Sequence, residues 1–558
     1  MKNIKQYLIL FTGLQIFHFS ILTYWIFNGI SVIYGTNDDS LMSSISSGNL
    51  TGVNDEHLIF IEPIFSMIIK YLEILLPNFS GYTFFLIFVT TSSFVSILTT
   101  TLILKKINVF FLIFYVLSFT SLQSWFAINP TYTGASLFAA GAAAAHINLL
   151  IFLKNRDSKY LLAMIFSVFC FISYGIRNEG IFIALILSLP GLIFLVRYFK
   201  EFKKPAMLSV IVLLILYIFN AITSNFVYSP DWKSYLELNS LRHQIQLREP
   251  ERRLENHLTE IEWKESTYFM FKKFNLTDEA QMNSNNMNRI IEVTKVGYLD
   301  EISLSRTFKD IKNEFNPWSW ILKFLLLLIV SSLLINFISK DLFGFLFFYT
   351  VLSFSSITLL IILSNFYQLP ERISFNLLSA IILTSLMTVK NVQINANKFL
   401  SVFLLFALIL SGYDYFKRFS VELNARQNAY QTRIVYAQTQ QEFFSKLESE
   451  VLISGASSLK SDWQNPYLKF KPIDARNKTL MLGWHNLSPI WFEQVQNLNL
   501  NEKDFYSNLL KPNVFWVDNP EEIANTQEFI EDHFGFNVTV AKVENIGNDE
   551  YFMYKFNE

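Results

Sequence analysis

The sequence predicts a polytopic α-helical membrane protein of about 11 transmembrane helices, with a large outer loop and a C-terminal extracytoplasmic α/β domain. Three observations carry this expectation. Of the 558 residues, 52% are hydrophobic, 57 are Phe and only 16% are charged, which is too apolar for an ordinary soluble domain. Apolar runs of about 20 residues, the length that crosses a hydrocarbon core, recur along the chain. Lys and Arg concentrate in alternate short loops, the asymmetry that sets membrane orientation.

The apolar runs fall near residues 7–31, 83–104, 107–127, 133–153, 160–176, 180–196, 205–226, 318–338, 342–364, 372–389 and 398–413. The first is too long for the apolar part of a cleaved signal and is read as retained. Residues 58–76 form a further apolar stretch. There Ile61, Ile64, Phe65, Ile68, Ile69, Leu72, Leu75 and Leu76 recur at helical spacing, and Glu62, Ser66, Lys70 and Glu73 mark the opposite face. This stretch is expected to lie in the membrane interface. With that choice, fourteen basic residues occupy the short loops on the N-terminal side, against Lys70, Arg177 and Arg372 on the other. The N-terminus is therefore expected in the cytoplasm and the C-terminus outside.

Four regions follow. Residues 1–226 are an N-terminal transmembrane module with a first outer loop at 32–82, and 227–317 are a large extracytoplasmic loop. Residues 318–413 hold the last transmembrane helices, and 414–558 are an outer helix followed by a small α/β domain. In this tail, a helix is expected from about Tyr413 to Glu450. Strand-like runs follow at Thr479–Leu482, Asn513–Val517, Asn537–Val543 and Tyr551–Phe556, with helical Pro489–Asn497 and Pro520–His533 between them. The Ala- and Gly-rich run Ala135–Ala145 suits close packing of membrane helices.

Charge and cysteine narrow the chemistry. The 45 Lys plus Arg nearly cancel 46 Asp plus Glu, so no nucleic-acid partner is indicated. The single Cys excludes an internal disulfide and a Cys-based metal site. No P-loop or GxGxxG motif is present.

Directly after the first span, Asp38 and Asp39 place two carboxylates at the membrane surface. Such a pair can act as a general base or hold a hard cation, magnesium or manganese. Its alternative role is to cap the short helix that follows. Arg177 in YGIRNE and Arg372 in QLPER stand at outer span ends, next to Glu179 and Glu371. A guanidinium suits a phosphate; interfacial pairing with the neighbouring acid is the other reading. His57, at the base of the interfacial segment, either contacts substrate or caps a helix. In the large loop, Trp232, Tyr235, Asn239, Arg242, His243 and Arg248 suit sugar binding, as does the Trp-containing stretch Leu482–Trp491 in the tail. A solvated helical face is the first reading for the mixed-charge loop, and core packing of a small domain is the first reading for the tail stretch.

The first loop, TNDDSLMSSISSGNL and then HLIFIEPIFSMIIKYLEILLPNFSGYTFF, followed by a span ending in Lys105-Lys106, resembles the GT-C superfamily of membrane glycosyltransferases. The resemblance covers residues 1–106. It implies that Asp38 and Asp39 are catalytic, and that Glu62-Pro63 opens the juxtamembrane helix; beside these, the positions and chemistry of Glu62, His57, Arg177, Glu179, Arg372 and Arg242 make them the candidate substrate contacts. It also implies a polyprenyl-phosphate-linked sugar as donor and a glycan or glycolipid acceptor. The implied site of action is the outer face of a bacterial cytoplasmic membrane, in building surface polysaccharide. Two rival readings stand beside it. An O-antigen or capsule polymerase or ligase would rest on Arg residues of the large loop, and a non-enzymatic polysaccharide transporter or assembly protein would need ionisable residues within its spans.

Overall fold

The computed structural model describes residues 2–27, 34, 37–104, 109–152, 158–247, 254–294, 342–366, 371–386, 412–425, 449–455, 465–469, 478–545 and 552–558, with scattered residues between 410 and 447. The span expected at 318–338 and most of that at 398–413 lie outside them. So does most of the expected tail helix, which is helical over 412–425 and not helical at 447, 449 and 450.

The chain opens with α1 (Lys2–Phe27), followed by two short helices of the first outer loop, α2 (Asn37–Ser46) and α3 (Pro63–Leu75). Then come α4 (Gly81–Leu104), α5 (Val109–Ile128), α6 (Tyr132–Asn148), α7 (Lys159–Ile176), α8 (Gly180–Leu187), α9 (Leu189–Arg197) and α10 (Phe199–Val227). Six of these, α1, α4, α5, α6, α7 and α10, are long and apolar enough to cross a membrane, and the α8–α9 pair makes a seventh if counted as one span bent by 57°. Pro190 in the first turn of α9 lacks the N–H that would continue α8 across the break. Two more apolar helices, α14 (Leu342–Phe366) and α15 (Glu371–Leu386), follow the outer loop in sequence. The chain is thus a polytopic helical membrane protein.

Helix α6 is the axis of the bundle. Every side chain from Tyr132 to Asn148 is buried, and α4, α7, α8 and α15 pack around it. The small-residue run allows this: a Cβ on Gly141 would fall 2.7 Å from the Ala380 backbone of α15. Polar side chains join neighbouring helices, with Thr100 to His146 at 3.0 Å and the Gln123 amide donating to Thr90 at 2.8 Å.

Helix α3 departs from expectation in its orientation. Ser66 and Glu73, assigned to its solvated face, are buried, whereas Ile68, Tyr71, Ile74 and Leu75 are exposed. Phe65 and Ile69 of the apolar stripe are buried beside Ser66 and Glu73, so the inward face of the helix is mixed, and its polar groups turn inward where partners exist. Glu73 accepts the Tyr82 backbone N–H at 3.0 Å and the Ser46 hydroxyl at 3.2 Å.

The outer loop contributes α11 (Pro230–Leu247), α12 (Glu265–Lys272) and α13 (Ser284–Thr294). The tail forms a five-stranded sheet from β1 (Val451–Ser454), β2 (Thr479–Met481), β3 (Val514–Asp518), β4 (Thr539–Asn545) and β5 (Phe552–Asn557), in the order β2-β1-β3-β5-β4. Strands β2, β1 and β3 are parallel, while β5 is antiparallel to both β3 and β4. Helices α16 (Pro489–Asn497) and α17 (Ile523–Phe534) complete it. Loop and tail share one hydrophobic core, in which Ile245, Trp263 and Phe271 pack with Ile453, Trp491 and Trp516.

Candidate functional site

The first turn of α2 carries both Asp38 and Asp39, where the positive end of a helix favours a carboxylate. Asp39 is fully buried. Its Oδ1 accepts the Tyr82 hydroxyl at 2.6 Å and the Tyr132 backbone N–H at 2.8 Å. Tyr82 and Tyr132 belong to the first turns of α4 and α6, so a single carboxylate gathers three helix starts. Asp38 beside it is half-buried. Tyr132 is set in place by its neighbour: Thr131 caps α6, its hydroxyl accepting the Gly134 N–H at 3.0 Å.

Tyr132 also lines a cavity of about 430 Å³. The loop segment Ile59 to Pro63, the turn Arg177 to Glu179 and the corner of α10 with α11 form the rest of its wall, with Ser224, Tyr228, Lys233, Asn239 and His243 facing it. The Arg177 guanidinium lies 5.8 Å from the centre of the Tyr132 ring. Its Nε donates to Glu179 at 3.1 Å and its Nη1 to the Thr133 hydroxyl at 2.7 Å. Burial alone would raise the proton affinity of Glu179, but the Arg177 charge, a main-chain hydrogen bond, the Arg177 hydrogen bond and the His243 charge together outweigh it and hold the carboxyl below the usual range. Glu62 is opposite in character. Burial pushes its carboxyl up, and hydrogen bonds from Asn220, at 2.6 Å, and from Tyr174 and Asn178 only partly offset this. The cavity therefore combines a fixed ion pair, a carboxyl with raised proton affinity and two further cationic or titratable groups, Lys233 and His243.

Of the residues anticipated from sequence, Glu62, Arg177 and Glu179 meet in this cavity, and Asp39 reaches it through Tyr132. His57 does not line it. Its ring lies against Trp232 at 4.4 Å and 3°, with Nδ1 2.5 Å from Asp55 Oδ1 and Nε2 2.9 Å from the Val227 carbonyl. Arg242 is buried behind the wall, donating to the Asn239 side chain at 2.6 Å and to the Trp484 carbonyl. Within the tail stretch, Trp484 reaches towards the cavity by packing on Phe60 at 4.8 Å, while Trp491 is core. The Arg372 and Arg248 side chains lie outside the described residues. Among the described residues, no group of three or more His, Cys, Asp or Glu side chains stands close enough to hold a metal ion. Sequence reading missed Tyr82, Tyr132, Asn220 and Lys233. The available signal was positional, since each tyrosine begins a span just where an outer-surface aromatic sits.

No family model and no curated protein matches the sequence. Among solved structures, the crystal structure of ArnT from Cupriavidus metallidurans bound to undecaprenyl phosphate is similar over 98% of this chain and 97% of that chain, at 10% identity and a TM-score of 0.35. That score is too low to carry a common fold or an activity from one chain to the other.

Proposed function

We propose that this chain is a GT-C-type glycosyltransferase, transferring a sugar from a polyprenyl-phosphate-linked donor to a surface glycan or lipid-linked acceptor at the outer face of a bacterial cytoplasmic membrane. The observation that carries the reading is the junction at Tyr132. Its N–H holds Asp39, its ring lies beside the Arg177 guanidinium, and the same residue lines the cavity. One helix start thus ties the acidic pair of the first loop to a cationic chamber.

The reaction needs both. An acceptor hydroxyl must lose a proton as it attacks the anomeric carbon, and a carboxylate in hydrogen-bonding reach takes it. The departing lipid phosphate gains charge and needs cations beside it. Asp39 spends Oδ1 on Tyr82 and Tyr132, so Asp38 is the base and Asp39 its orienting partner. Arg177 receives the phosphate with Lys233, and Arg372 is a further candidate. Glu62, uncharged more readily than an ordinary carboxyl, offers a donor to a sugar hydroxyl.

The test is transfer by the purified protein in lipid nanodiscs, supplied with polyprenyl-phosphate sugars, alongside mass spectrometry of glycolipids from a deletion strain. Loss of turnover in Asp38→Asn and Arg177→Ala, with normal membrane levels, is the expected result. Unchanged glycans in the deletion strain and wild-type glycan synthesis by Asp38→Asn would overturn the reading. Reporter fusions at Lys105 and Glu260 must fall on opposite sides of the membrane, with Lys105 cytoplasmic.

A further inference from the structure

We infer that His57 is a doubly donating imidazolium clamp, a positioning residue that holds the first outer loop to the C-terminal end of α10 and so fixes the cavity wall carrying Ser224 and Lys233. Its effect on sugar transfer rests on the reading proposed above; the clamp itself does not.

Donors and acceptors around the ring decide its charge. Nδ1 faces the Asp55 carboxylate at 2.5 Å, and Nε2 faces the Val227 main-chain carbonyl at 2.9 Å. Both partners can only accept, whereas a neutral imidazole has one N–H and one lone pair. Either neutral tautomer turns a lone pair against an oxygen. The protonated ring alone satisfies both contacts.

Two further features favour the same charge state. Val227 is the last residue of α10, whose terminal carbonyls lack intrahelical partners and whose negative end attracts a cation. The Trp232 ring lies parallel to the imidazole at 4.4 Å and 3°, a face that attracts positive charge. The charged and titratable neighbours agree. Asp55 and Glu56 come from the same loop, Lys70 of α3 is spent on Glu56, Tyr228 stands at the α10–α11 corner, and Glu493 of α16 acts on Asp55. Burial disfavours the cation, but the Asp55 bond and charge outweigh it, so the ring titrates above its ordinary value.

The clamp sits where it matters for the cavity. Ser224 lies about one helical turn before Val227, and Lys233 follows Trp232 directly; both line the cavity. Asn220, a turn further back, holds Glu62 at 2.6 Å. Releasing His57 frees this corner to rotate away from the first loop.

A raised value in the folded state means that the clamp is complete below the ordinary histidine range, about 6.5, and is lost as pH rises through the raised value. The experiment uses the full chain in nanodiscs with ¹⁵N-labelled imidazole, the His57 signals being assigned by their absence in His57→Gln. Both ring nitrogens should be protonated at neutral pH, and Asp55→Asn should lower the pH of titration. Donor kcat/KM should fall in wild type as the ring deprotonates. In His57→Gln it should start about tenfold lower and lose that limb, the loss appearing mainly in KM. A neutral His57 at pH 6.5, or an unmoved titration in Asp55→Asn, overturns the clamp even if transfer is found. Protonation as expected without any sugar transfer upholds the clamp and sinks the proposed function instead. If His57→Gln fails to accumulate, His57→Asn supplies the assignment, and the wild-type and Asp55→Asn titrations decide.

Discussion

Substituting Asp39 separates its anchoring role from the chemistry assigned to Asp38. In Asp39→Ala, the buried Tyr82 hydroxyl and Tyr132 N–H both lose their acceptor. An orphaned buried donor costs about 1–3 kcal/mol, so the pair sets a loss of about 2–6 kcal/mol. Removing a carboxylate from the first turn of α2 adds about 0.3–1 kcal/mol. Asp39→Asn keeps an acceptor oxygen and forfeits only the charge assistance of the two bonds, about 1 kcal/mol each. Asp38→Asn, on the half-buried neighbour in the same first turn, should move stability by about 0.3–1 kcal/mol while cutting turnover by about 10²-fold. Thermal unfolding of the detergent-purified variants measures the first quantity, and transfer assays on the same samples the second. If Asp39→Ala and Asp39→Asn unfold together, the two tyrosine bonds do not carry the first loop. A fully active Asp38→Asn would move the base elsewhere.

Gly81→Ala places a Cβ 2.4 Å from the Glu73 backbone nitrogen, where no side chain can yield, and should cost about 1–3 kcal/mol or more, read as lost accumulation in the membrane. Normal levels would contradict the α3–α4 corner. Glu62→Gln tests the pH dependence of the cavity. A carboxyl whose folded-state proton affinity is raised contributes stability below the carboxylate range that is lost as pH rises through its folded value, so at neutral pH the Gln variant should melt above wild type and the gap should close in acid. Arg242→Ala leaves the Trp484 carbonyl short of one of its two donors and should speed limited proteolysis of the tail, with transfer reduced less than in Arg177→Ala.

The membrane architecture was legible because long apolar runs admit few alternatives, and the tail strands near 479, 514, 540 and 552 because β-branched and aromatic runs stood between turn residues. Strand β1 was not. Its four residues, Val451–Ser454, lie between two parallel neighbours and are buried on both faces, so they show no alternation, and they directly follow an expected helix. Ser66 and Glu73 of α3 were read as solvated because periodicity gives the stripes of a helix without saying which neighbours will cover the polar one. In the site, the position of Asp38 and Asp39 was readable from their place after the first span. Their partners were not, since Tyr82 and Tyr132 lie 43 and 93 residues from Asp39 and meet it only through helix packing.

The shared core of the outer loop and tail explains how so dispersed a site holds together. The core they build jointly places the Trp484 turn against the first loop. There the Trp484 carbonyl accepts the Tyr235 hydroxyl at 2.7 Å, its ring packs on Phe60 at 4.8 Å, and Phe60 stacks on Tyr132 at 5.6 Å and 8°. From Tyr132 the contact passes to Asp39. A second route runs lower down, where Tyr467 donates to the Ala127 carbonyl at 2.8 Å, and the Thr83 hydroxyl to the Pro466 carbonyl at 2.7 Å. The acidic pair is therefore braced from above by residues more than 300 positions away. Loosening the outer unit should be felt at the carboxylates through the start of α6, where Phe60 and Tyr132 stack.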